Sequence, residues 1–383
     1  MPSFARVASQ RGMTLIELLV AMAIGLVLTL AVTSIVTVGE AHKRTTSSVN
    51  DMGQSGSYAA YLLDRAVRGA GSGFVQSTQP IDRGVFGCKL NVAAMLPRAS
   101  GTAFPAPFAG FLPGAQNTLR AAPVLIAKSQ SDAGSDVLVV MGGYAAAGGV
   151  SRPVTDPGSA TTLSLDNAVG FTVGDLALVS QAGVDDCLLE QVSAISGKVL
   201  TLGGTYYTAG PSSLISTLAA STSTYVTPMG NKDAGSLQMQ LFGVGANNTL
   251  FSYDLLQGSG SDVSQAVADG VLEMHALYGL DTNGDGVLDA WAAPDDTGYD
   301  IAAVMATPAT MRTIVAVRIA LVMRNTNYEK ATVSPASLTL FADAKNAANE
   351  SLAQTVTLSS DAQHYRYRVV DSIVPLRNML LLP

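Results

Sequence analysis

The run from Leu18 to Val38 contains no charged side chain. It is long enough to cross a bilayer as a helix, for which about 20 apolar residues are needed. Arg6 and Arg11 precede the run, and Lys43 and Arg44 are the first cations after it. The positive-inside rule is therefore nearly balanced and gives little orientation. A cleaved secretory signal places small residues after its apolar core, whereas here Gly12 stands before the core, directly ahead of Met13. A cut at Gly12 leaves the helix attached to the mature chain.

Glu17 stands at the head of this span. A carboxylate carried to the bilayer centre costs of the order of 2.5 kcal/mol or more. Either Glu17 stays at the interface in water, or a partner offsets its charge. The run Arg11-Gly12-Met13-Thr14-Leu15-Ile16-Glu17-Leu18 closely resembles the class III signal of type IV pilins and pseudopilins. The resemblance implies that a prepilin peptidase cuts after Gly12 and methylates Met13, where the family usually has Phe. It also makes Glu17 the fifth residue of the mature chain, positioned so that a neighbouring subunit's amino group neutralises it in the fibre core. Docking then relieves a buried charge.

Ala59, Leu62, Leu63, Ala66, Val67 and Ala70 follow helical spacing, and Asp64 and Arg68 form an i, i+4 pair. The helix is thus expected to run from Met13 to about residue 70, apolar over 13–39 and amphipathic over 40–70. At about 1.5 Å per residue it measures roughly 80 Å, with Gly53 and Gly56 as expected bends and Gly69, Gly71 and Gly73 ending it. The stretch from Gln54 to Gly71 is similar to the one that follows the anchor in PilW-type minor pilins.

The body, 71–383, has the composition of a strand-rich exported domain: 13% charged residues and 37 glycines. A net charge of -7 without a long basic run argues against direct nucleic-acid binding. Outside the cytoplasm, Cys88 and Cys187 read as a disulfide, the alternative being two separate buried thiols. From Ser72 to Pro123 the chain lacks periodicity and reads as a surface segment tethered at Cys88. Strand signals follow at Asp136–Met141, Asp175–Val179, Cys187–Ile195, Val199–Leu202, Leu237–Phe242 and Thr249–Leu255. Blocks at Val271–Asp281, Val315–Val322 and Tyr365–Asn378 again resemble PilW-like proteins, in the same order. Arg318 alternates with apolar neighbours and reads as a solvent-facing strand position.

Asp281, Asn283, Asp285 and Asp289, with Gly286, match the first part of an EF-hand-type calcium loop, in which the Val287 carbonyl would be the next ligand. The twelfth position is Ala292, so Asp295 or Asp296 would have to complete the shell. The alternative is an acidic hairpin turn. Calcium is the one cofactor expected, and no organic cofactor is implied.

His42, His275 and His364 are far apart and form no metal motif. Gly142-Gly143 and Gly148-Gly149 lack a dinucleotide fingerprint and read as turns. No catalytic motif emerges. The expected fold is α+β and type IV pilin-like: a long N-terminal helix packed on an antiparallel β-rich head, with an inserted β-rich subdomain at about 88–236. Residues 1–12 are the leader. The resemblance implies a minor pilin that primes assembly at or near the fibre tip. It implies an inner-membrane precursor with a periplasmic head, and as partners other minor pilins, the major pilin, prepilin peptidase, the assembly platform and a tip adhesin. The alternatives are a pseudopilin of a type II secretion system and a tip adhesin in its own right.

Overall fold

The computed structural model describes residues 12–73, 85–93, 96, 103–112, 118–144, 149–207, 214–257 and 263–379. The chain divides into two compact units, 1–51 and 52–383, with the boundary inside the helix Leu15–Gly69. That helix passes without interruption through Gly53 and Gly56.

In the first unit the helix has no buried residue, and Leu18, Ile24, Leu26, Leu30 and Ile35 are all exposed. Its hydroxyls are turned inward: Thr29, Thr33, Ser34 and Thr37 donate to carbonyls of the preceding turn. A polar group in hydrocarbon must find such an internal acceptor.

In the second unit the helix buries Met52, Gly56, Ala59, Leu63, Ala66 and Val67, a stripe at helical spacing. Gly56 lets it lie close, since a Cβ there would sit 3.1 Å from Met323 Cγ and 3.2 Å from Val370 Cγ2. Those neighbours belong to a four-stranded antiparallel sheet ordered Ala290–Ala292, Val271–Leu280, Ile314–Arg324, Tyr367–Pro375. Its opposite face is covered by the hairpin of Ser337–Leu340 and Gln354–Thr357, where Ala320 and Val322 pack with Leu340, Phe341 and Val356. The helix ends where Asn378 donates to the carbonyl of Ala70 at 2.7 Å and Gly71 adopts φ +78°.

A second, five-stranded antiparallel sheet is ordered Gln265–Asp269, Thr249–Asp254, Leu237–Gly245, Val137–Gly143, Val124–Ala127. Several polar links join it to the first. The N–H of Ile126 donates to the Tyr278 hydroxyl at 2.5 Å, and Asp136 lies between the strands beside His275. The surface segment expected over 72–123 is in part core. Phe104, Phe108 and Phe111 are buried, with Phe104 edge-on to Tyr253 at 5.7 Å. Their i, i+4, i+7 spacing is that of a helical face, but Pro105 and Pro107 between them forbid a helix, so periodicity could not place them.

The remaining strands form a seven-stranded sheet. An additional pairing of Asp186–Ser196 with Val199–Leu202 closes six of them, within 152–230, into a barrel. Leu163, Phe171, Val179, Leu188, Leu200 and Val226 fill it, together with Leu218 of the short helix Leu214–Ala219. Closure leaves no free edge. The seventh strand, Lys89–Val92, runs parallel to Asp186–Ser196. Within the expected insertion of 88–236, then, Val124–Ala127 and Val137–Gly143 belong to the five-stranded sheet. Gly142 and Gly143 are strand residues and not turns. A Cβ on Gly142 would lie 2.9 Å from the Gly69 carbonyl, and one on Gly143 2.3 Å from the Met229 carbonyl. Glycine is needed there because backbones meet closely.

Candidate assembly site

The helix carrying the apolar run begins at Leu15, with Thr14 just outside it. The Glu17 carboxylate accepts the Thr14 N–H and hydroxyl, both at 2.9 Å, and the Thr14 hydroxyl accepts the Glu17 N–H at 3.3 Å. This is a reciprocal capping box, the Thr-x-x-Glu pattern before an apolar run. The pattern was present in the sequence, but the chemistry read into Glu17 there was intermolecular. The negative side chain also lies at the positive end of the helix dipole. Glu17 thus has a local role as well as any pairing in a fibre. Met13 is 68% exposed and Gly12 has open space around it, as a peptidase substrate requires. Leader residues 1–11 lie outside the described residues. By length and composition, Leu15–Gly69 is long and apolar enough to cross a membrane.

Cys88 and Cys187 form a disulfide, with Cα atoms 5.7 Å apart and a sequence separation of 99. Both are buried. The strand register that places Leu90 opposite Cys187 brings the two together. Beside the bridge, the Arg120 guanidinium pairs with both oxygens of Asp185 and holds that carboxyl below its ordinary range.

The acidic turn joins the strands Val271–Leu280 and Ala290–Ala292, with Leu280 opposite Ala290. Asp281 accepts N–H groups from Asn283 at 3.2 Å, Gly284 at 2.6 Å and Gly286 at 2.7 Å. Burial opposes its ionisation, but these donors outweigh that and depress its pKa. Asn283 accepts the Asp285 N–H, Asp285 the Val287 N–H, and Asp289 the Thr282 N–H and hydroxyl. Gly284 and Gly286 supply the positive φ that these bends require. Among the described residues, no three Asp, Glu, His or Cys side chains gather as a metal site.

Two charged residues were not visible for what they are. Arg318 is buried and not solvent-facing. It forms a fork with Asp371 at 2.7–3.1 Å, reaches Asp343 at 2.7 Å, and lies over the rings of Trp291 and Phe341. Those contacts, the Asp371 fork first, raise its pKa despite burial. His275 is buried between Asp136 and Glu273, with Nδ1 3.6 Å from one and Nε2 3.0 Å from the other.

Comparison with known proteins places these features in a family. Residues 234–378 match the type IV pilus-assembly protein W family, PilW, and residues 7–33 match the prokaryotic N-terminal methylation motif. No curated protein and no solved structure matches the chain. The first match starts after the last barrel strand and takes in the four-stranded sheet on which the helix packs. The second includes Gly12, Met13 and Glu17. Both families are structural components of the pilus system, and with the one at its amino terminus and the other over the core of its head, this chain is a PilW-like minor pilin of the type IV pilus.

Proposed function

We propose that this minor pilin helps prime fibre assembly and sits at or near the pilus tip. The apolar helix packs with those of other minor pilins and the major pilin, after prepilin peptidase cuts at Gly12 and methylates Met13. Glu17 then exchanges its bonds to Thr14 for the amino group of a neighbouring subunit at the inner-membrane assembly platform. The observation that carries the tip reading is the closed barrel within 152–230, which lies outside both family matches. Such a module on every subunit would obstruct close helical repetition along a shaft, whereas one copy at an end meets no such constraint. A tip position also leaves the head free to meet a tip adhesin. The test is immunogold labelling with antibodies to the barrel, together with imaging of a deletion strain. Label confined to fibre ends and a loss of pili on deletion are expected. Label spread along the shaft, or normal piliation without the gene, overturns the reading.

A further inference from the structure

Beside the helix end, the five-stranded sheet leaves part of its outer face uncovered as a groove of about 700 Å³. Its floor is polar. Gln240 stands directly across from Asp254 in the strand register, and the Gln238 amide donates to Gln240 Oε1 at 3.4 Å. Asp254 accepts the Leu256 N–H at 2.8 Å and has Lys232 Nζ 3.5 Å away. The exposed Arg65 lines the helix side, and Tyr144, 68% exposed, lines the other.

We propose that this groove binds a saccharide. The amides and carboxylate on the sheet, with the Lys232 ammonium from the turn after Thr224–Gly230, offer donors and acceptors within a few ångströms of one another. Adjacent hydroxyls of a sugar ring can use both kinds at once, and the exposed face of a tyrosine suits the ring's C–H side. A peptide partner needs a deep apolar pocket for an anchoring side chain, and of the large apolar residues lining the groove Phe242 and Leu237 are already buried and Leu62 and Val267 are half-buried. The volume falls in the range of small-ligand sites, about 300–1,000 Å³, which suits one or two sugar units. Gly235, which also lines the groove and has open space where a Cβ would stand, adds no side chain to fill it. This activity goes beyond fibre assembly and does not depend on it.

The test uses the full chain in lipid nanodiscs and saturation-transfer NMR with four probes: chitobiose, lactose, maltose and N-acetylneuraminic acid. At least one should bind saturably. Gln240→Ala and Tyr144→Ala should each weaken it tenfold or more, while Asp156→Asn on the barrel leaves it unchanged. Tyr144 is exposed, so its variant keeps the test valid if Gln240→Ala fails to fold. Absence of saturable binding by all four, or wild-type binding by a folded groove variant, overturns the proposal.

Discussion

Raising the pH from 6 to 9 should destabilise the head through one residue, His275. Asp136 is fully buried and holds its carboxylate with the N–H groups of Ser129 and Ala276, both at 3.0 Å. His275 lies between it and Glu273. Burial favours the neutral ring, but the hydrogen bonds and charges of the two carboxylates outweigh it and push the pKa from 6.5 up to about 9. The native state therefore holds a proton that the unfolded chain releases near its ordinary value. The stabilisation is complete below about pH 6.5 and is lost as the pH rises through about 9. At about 1.36 kcal/mol per unit, a shift of this size amounts to about 3 kcal/mol. The assay is urea unfolding of the full chain in detergent, followed by the fluorescence of Trp291, the single tryptophan, whose strand pairs with the one bearing His275. His275→Gln should cost about 3 kcal/mol at pH 6 and far less at pH 9. An equal cost at both pH values would refute the ion-pair reasoning.

Three other outcomes follow from the same geometry. Replacing Cys88 and Cys187 together by Ala should lower stability by up to about 5 kcal/mol, the chain-entropy figure for a loop of this length, measured by chemical denaturation; an unchanged midpoint would contradict it. Glu17→Gln retains an acceptor for the capping box but removes the charge, so it should insert normally and enter pili poorly; if only Glu17→Ala fails to assemble, the cap and not the charge is what matters. For the proposed calcium ion at Asp281, Asn283, Asp285, Val287 and Asp289, added calcium should raise the Tm of chelator-treated protein by mass action, and Asp285→Ala should abolish the rise. No change in the melting curve, with no heat of binding at millimolar calcium, leaves an acidic hairpin turn.

The elements were legible where local pattern decides them. The apolar run and its amphipathic continuation gave one helix, and the strand signals at 136–141, 187–195 and 249–255 coincide with observed strands because short apolar runs bounded by turn residues mark buried strands. Contacts distant in sequence were not legible. Arg318 alternates with apolar residues, which suggests a solvent face, yet its strand is covered by the helix on one side and by a hairpin on the other. The carboxylates that neutralise it lie at Asp343 and Asp371, far along the chain. Asp136 and His275 are similarly remote from each other and meet only where two sheets join. The barrel also depends on the pairing of its first and last strands in the chain, Arg152–Ser159 with Thr224–Gly230, which no local run encodes. At the assembly site the Thr14 to Glu17 spacing was readable, and the capping box follows from it.

The central claim, that this is a processed minor pilin built into a fibre, is tested most directly by intact-protein mass spectrometry of sheared, purified pili. The account predicts a chain that begins at Met13, carries one added methyl group at its amino terminus, and keeps Cys88 and Cys187 oxidised. A chain that retains residues 1–12, or one found only in the membrane fraction of a piliated strain, would contradict it.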